Sequence, residues 1–150
     1  MTKVYLDACV WGRPFDDQSD KKIAEETAAY FEIAWKIDSK EIEVVGSEVL
    51  FSELEDISDE NLREKIKLLV TKATSNVVRL DDEVKEIAIR LEEKCKCLGT
   101  DALHIATAVI GHVDFFITTD YELLKKKTCI KQKFNIDVIN PVNFVRNLYG

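Results

Sequence analysis

Lys3-Val4-Tyr5-Leu6-Asp7-Ala8-Cys9-Val10 is the stretch on which the fold turns. Val4, Tyr5 and Leu6 form a short apolar run that ends abruptly in a carboxylate. That is the pattern of a central parallel strand, buried on both faces, that delivers one acid to the rim of its sheet. In an open α/β sheet, ligands bind beyond the carboxyl ends of the strands, so Asp7 is the first candidate working residue. The question for the rest of the chain is which other acids the same sheet brings to that rim.

Downstream, Gly12 and Pro14 punctuate a predicted loop from Gly12 to Asp17. A helix is predicted from Ser19 or Asp20 to Lys36, with Ile23, Ala24, Thr27, Ala28, Phe31, Ala34 and Trp35 as its buried stripe. Ile42, Val44 and Val45 predict a second strand, and Ser47 caps a helix that opens on Glu48. Glu48 thus stands where a strand gives way to a helix. Ser58 opens the next helix, and Val77, Val78 and Leu80 predict a strand before Asp81 and Asp82, which read as helix starters.

Thr100 is a plausible N-cap for an almost wholly apolar helix from Asp101 to Ile110, which belongs against the centre of the sheet. It places Asp101 in the first turn and His104 three residues on, where a hydrogen-bonded, partly buried histidine is the ordinary reading. Phe115, Phe116 and Ile117 repeat the logic of the opening run and lead to Asp120. An edge strand at Ile136–Ile139 and a helix opened by Pro141 complete the pattern. The alternation of strands and helices predicts a single domain over residues 1–150, an α/β three-layer sandwich with a central parallel sheet and right-handed crossovers.

Composition bounds the function. With 46% apolar residues the chain can build a real core, and it holds no apolar run of the length a membrane span needs. A cytoplasmic location follows as an expectation. Cys9, Cys95, Cys97 and Cys129 lack the paired spacing of a zinc site, so reduced thiols are expected. The net charge of −7, from 28 acids and 21 bases, argues against binding duplex nucleic acid through overall charge. It leaves nucleic acid open as a substrate, because a metal-loaded acidic site inverts the local field.

Asp7, Glu48, Asp101 and Asp120 are therefore the candidate catalytic and metal-ligating residues. Carboxylates this close repel one another unless protonated or neutralised, and hard divalent cations resolve the conflict. Oxygen-only ligands suit Mg2+ or Mn2+, which activate water and stabilise charge on a phosphodiester. Arg13, Lys125, Lys126 and Lys127 are the candidate contacts to the phosphates of a nucleic-acid substrate.

The segments Val4-Tyr5-Leu6-Asp7, Ser47-Glu48-Val49-Leu50, Thr100-Asp101-Ala102-Leu103-His104-Ile105-Ala106 and Phe116-Ile117-Thr118-Thr119-Asp120 together resemble the PIN-domain ribonucleases. That family includes the toxins of toxin–antitoxin pairs. The resemblance implies a parallel sheet of strand order 3-2-1-4-5, an acidic metal site of Asp7, Glu48, Asp101 and Asp120, and a supporting hydroxyl at Thr118. It implies metal-dependent endoribonuclease activity on RNA, with homodimerisation and an antitoxin partner as family properties. Cys9 departs from the small or hydroxyl residue common at its position.

Two rival functions fit the sequence less well. A phosphatase of the haloacid-dehalogenase type needs an Asp-x-Asp pair, and Asp7-Ala8-Cys9 supplies only its first member. A catalytically inactive PIN-like module for RNA or protein binding has no need to concentrate four unpaired acids.

Overall fold

Five short strands carry the middle layer: β1 (Thr2–Leu6), β2 (Ile42–Ser47), β3 (Thr74–Val78), β4 (Phe115–Ile117) and β5 (Asp137–Ile139). In the computed structural model, which describes residues 1–149, they form one sheet in the order β3-β2-β1-β4-β5. Every pairing is parallel, with Val4 opposite Val44 on one side and Phe115 on the other. Val4, Tyr5 and Leu6 are completely buried, as a central strand covered on both faces requires. The expected sandwich and strand order are both present.

Helices fill the crossovers. They are α1 (Ala8–Gly12), α2 (Lys21–Asp38), α3 (Glu48–Leu54), α4 (Glu60–Ala73), α5 (Asp82–Cys95), α6 (Gly99–Ile110), α7 (Tyr121–Leu124), α8 (Lys127–Phe134) and α9 (Pro141–Tyr149). In the outer layers, α2 packs with α9, and α5 packs with both α6 and α8. The C-terminal end of α6 comes close to β2 because residue 111 is glycine. A Cβ there would lie 2.9 Å from Val45 Cγ1 and 3.3 Å from the Thr107 carbonyl oxygen. Among the described residues no helix is long and apolar enough to cross a membrane.

Several local expectations are corrected. The predicted Gly12–Asp17 loop is mostly helical: α1 follows Asp7 directly and runs into a 3-10 turn, Arg13–Phe15. Asp7 initiates it by accepting the Ala8 N–H at 2.9 Å. Asp59, rather than Ser58, caps α4 by accepting the Leu62 N–H. Helix α6 starts at Gly99, whose φ of +59° suits glycine, so Thr100 lies inside the helix and not at its cap.

The buried face of α2 is rotated from the expected stripe. Ala29, Tyr30, Ile33 and Ile37 face inward, whereas Phe31 and Trp35 are 58% and 71% exposed. Arg13 explains part of this. Its Nε donates to Glu26 Oε1 at 2.8 Å, drawing an acid into the inward face and setting the phase of the helix.

Cys95 and Cys129 form a disulfide, against the expectation of four reduced thiols. The bond joins the last residue of α5 to α8, across a Cα–Cα distance of 5.7 Å and a sequence separation of 34 residues. The short-range Cys95-Lys96-Cys97 spacing carries no sign of it, because the partner arrives through tertiary packing. Cys9 and Cys97 are free. Two thiols, not four, should therefore react when the unreduced protein is unfolded. Cys129→Ser should lower stability by about 2–4 kcal/mol, read as a shift in the urea midpoint, because the open chain regains loop entropy.

Candidate metal centre

The site begins at the C-terminal end of β1. The Asp7 N–H donates to the Ile117 carbonyl at 2.9 Å, which ties the acid to the end of the neighbouring strand β4. Its Oδ1 accepts from Ala8 N–H, and its Oδ2 accepts from the Thr118 hydroxyl at 2.8 Å. Thr118 Oγ1 in turn accepts the Asp120 N–H at 3.1 Å. One buried hydroxyl thus links the Asp7 carboxylate to the Asp120 backbone. Asp120 also caps α7, with Oδ1 accepting from the Glu122 and Leu123 N–H groups.

Glu53, which the sequence reading did not single out, lies beside Asp7. Its Oε2 is 2.6 Å from His104 Nε2, and that nitrogen is 3.9 Å from Asp7 Oδ1. Asp7, Glu53 and His104 each offer a ligand atom, all within 4.8 Å of one another. Glu48 is not in this group. It is exposed at the start of α3, where its Oε1 accepts the Leu80 N–H at 2.8 Å and braces the segment after β3. Five residues along an α-helix turn a side chain by about 140°, so Glu48 and Glu53 point in different directions. A signal for Glu53 was present: it follows Leu50 by three residues and precedes Leu54 by one, an acid bordering an inward stripe.

The electrostatics join the acids. Burial pushes the Asp7 carboxyl above its ordinary range, with His104 and the Thr118 hydrogen bond pulling it back. Asp101, in the first turn of α6, is raised by burial and then by the charges of Asp120 and Asp7, with Glu53 adding to them. These four carboxylates share one field. Burial and the Asp7 charge also push the Cys9 thiol up to about 11, so it is a neutral neighbour that packs against Thr118 and Thr119.

The basic residues differ in their freedom. Arg13 is held by Glu26, Asp16 and Thr119, at 2.8, 2.8 and 3.1 Å, so its guanidinium is committed to the fold. Lys94, Lys96, Lys125 and Lys126 line a cleft beside the disulfide. Cys97, whose thiol burial pushes up to about 11, feels both the Asp101 carboxylate and the Lys126 ammonium, so this cleft adjoins the acids. Lys125 Nζ lies 5.4 Å from the ring centroid of Tyr121, which is 66% exposed next to Asp120. Lys127 is exposed at the start of α8.

An open parallel sheet with carboxylates gathered at the ends of its central strands defines an α/β domain with a candidate metal-binding site. The chain belongs to the PIN domain family, whose pattern matches residues 4–128. No curated protein matches it at the level of sequence. Its fold recurs in solved structures. FitAcB from Neisseria gonorrhoeae has a TM-score of 0.56 at 15% identity, covering 92% of this chain and 97% of that one. VapBC2 from Rickettsia felis, solved bound to a DNA fragment from its promoter, has a TM-score of 0.58 at 12% identity, covering 93% and 98%.

Proposed function

We propose that this chain is a divalent-metal-dependent endoribonuclease. The observation that carries the reading is the convergence of Asp7 and Glu53 on one point of a PIN-family sheet, with Asp101 and Asp120 in the same field. The donor set fits a hard cation. Its acids are carboxylates, and burial raises the Asp7 and Asp101 carboxyls, with the charges of neighbouring acids adding to it. In this reading Asp7, Asp101 and Asp120 hold Mg2+ or Mn2+, with Glu53 in the place expected of Glu48.

Bound there, the ion would supply an activated water and offset charge on the phosphodiester. The chain's own residues do the rest. Thr118 fixes the directions of Asp7 and Asp120, and β1 and β4 hold them side by side. Lys126 and the neighbouring lysine cleft attract the phosphate backbone, while exposed Tyr121 offers a face on which an unpaired base can stack. That pairing of basic groups with an aromatic face favours single-stranded RNA. A toxin role, with an antitoxin protein over the acidic rim, a homodimeric state and a cytoplasmic location belong to the same proposal, supported by the family resemblance.

Metal addition is the direct test. Mn2+ titrated into metal-free protein at neutral pH should raise the melting temperature, by about 2.7 kcal/mol of added stability at a hundred times the dissociation constant. The loaded protein should then cut a mixed RNA pool. A melting temperature indifferent to Mg2+ and Mn2+ would remove the basis for the assignment.

A further inference from the structure

We infer that Ser47, Tyr5 and His104 form a buried positioning relay that holds Glu53 against Asp7, with His104 acting through its hydrogen bonds and not as a metal ligand. The relay is a continuous chain of short contacts. Leu50 N–H donates to Ser47 Oγ at 2.9 Å, Ser47 Oγ is 2.6 Å from the Tyr5 hydroxyl, and that hydroxyl is 2.6 Å from His104 Nδ1. His104 Nε2 then meets Glu53 Oε2 at 2.6 Å. Tyr5, Ser47 and His104 are all buried to within 1% of complete, so no bulk water competes for these bonds.

For a neutral imidazole, one direction of donation satisfies every group. An ionised Glu53 accepts only, so His104 carries its proton on Nε2 and presents a lone pair at Nδ1. Tyr5 donates to that lone pair at 2.6 Å. Tyr5 accepts from the Ser47 hydroxyl, and Ser47 accepts from Leu50 N–H. With the relay reversed, the Ser47 proton would lack an acceptor among the described bonds. In the neutral Nδ1 tautomer, a bare Nε2 would also face a carboxylate lone pair at 2.6 Å. The proton on Nε2 occupies the lone-pair direction that a metal would need.

The placement explains what the relay holds. Tyr5 lies on β1 two residues before Asp7. Ser47 and Glu53 flank α3 at its cap and its last turn, and His104 lies on α6 three residues after Asp101. Three separate elements that carry acids of the site are therefore joined by one buried chain. The nuclease reading gives the relay its purpose, but the geometry stands without it.

The test uses the full chain. Nitrogen-15 NMR of the metal-free protein should show His104 with its proton on Nε2, unchanged when Mg2+ is added. A proton on Nδ1, or loss of the Nε2 proton on adding Mg2+, would overturn the proposal. Tyr5→Phe keeps the ring stacked on Phe116, 5.2 Å away, and removes only the hydroxyl. It should weaken Mn2+ binding about tenfold by calorimetry, as loss of an outer hydrogen bond does. His104→Gln, which keeps a donor toward Glu53, should retain more affinity than His104→Ala; equal losses would count against the relay. If Tyr5→Phe does not fold, the wild-type spectrum still decides. The tautomer needs neither metal nor RNA, so failure of the nuclease assignment would show separately, as absent Mn2+ binding.

Discussion

Asp7→Asn should abolish metal-dependent RNA cleavage while making the metal-free protein more stable. The loss should be about a thousandfold, or about 4 kcal/mol of transition-state stabilisation, because the acid at the centre of the site can no longer balance a cation. The gain has a separate cause. Asp7 is buried and its carboxyl is raised, so keeping it ionised costs stability when no metal is present. Asparagine retains an oxygen for the Ala8 N–H and offers an amide toward Thr118. An increase of about 1 kcal/mol in unfolding free energy is the expected scale for relieving a functional site. Cleavage assays and urea melts on the same preparation read both effects. Full cleavage by the variant would sink the proposed site.

The same raised carboxyls set a pH dependence of defined sign. The folded values of Asp7 and Asp101 lie above the ordinary aspartate value of 3.8. Between that value and the raised ones, the folded chain binds more protons than the unfolded chain, so this contribution to stability falls as pH rises. It is fully present below the unfolded value and lost above the folded ones. Stabilisation by Mn2+ should run the other way, growing as the carboxyls ionise. In the Asp7→Asn protein the metal-free slope should flatten. Without the central acid, the metal-dependent increment should shrink strongly.

Much of the fold was legible because its strongest signals are local. Val4-Tyr5-Leu6 and Phe115-Phe116-Ile117 are uniformly apolar runs that end near acids, and such runs suit only the centre of a covered sheet. Ser47 reads as a cap from its neighbours alone. What stayed hidden depends on contacts between distant segments. The phase of α2 depends on Arg13 reaching Glu26, and the Cys95–Cys129 bond on α5 meeting α8. Glu48 stands at an element boundary that the sequence marks, whereas Glu53 lies within the helix. The direction of a side chain around a seven-residue helix is settled by what the helix packs on.

Glu53→Gln and Glu48→Gln should therefore part company sharply. Glu53 is the acid that His104 delivers to within reach of Asp7, and neutralising it removes one negative charge from the point where a cation would sit. Cleavage should fall by about a hundredfold or more, or about 3 kcal/mol, and Mn2+ binding should weaken with it. Glu48→Gln should leave cleavage within about threefold, since a sub-kcal/mol change is usual for an exposed site whose hydrogen bond survives. The glutamine oxygen can still accept from Leu80 N–H, the bond that Glu48 makes here. Steady-state cleavage and calorimetry on both variants check the contrast. The reverse pattern, an inert Glu53→Gln and a dead Glu48→Gln, would require α3 to turn by more than a third of a revolution when RNA and metal bind, because the two side chains lie about 140° apart. Ser47 and His104 oppose that rotation at either end of the helix: the first caps it through Leu50 N–H, and the second grips Glu53. The two glutamine variants therefore test the orientation of α3 together with the identity of the fourth acid.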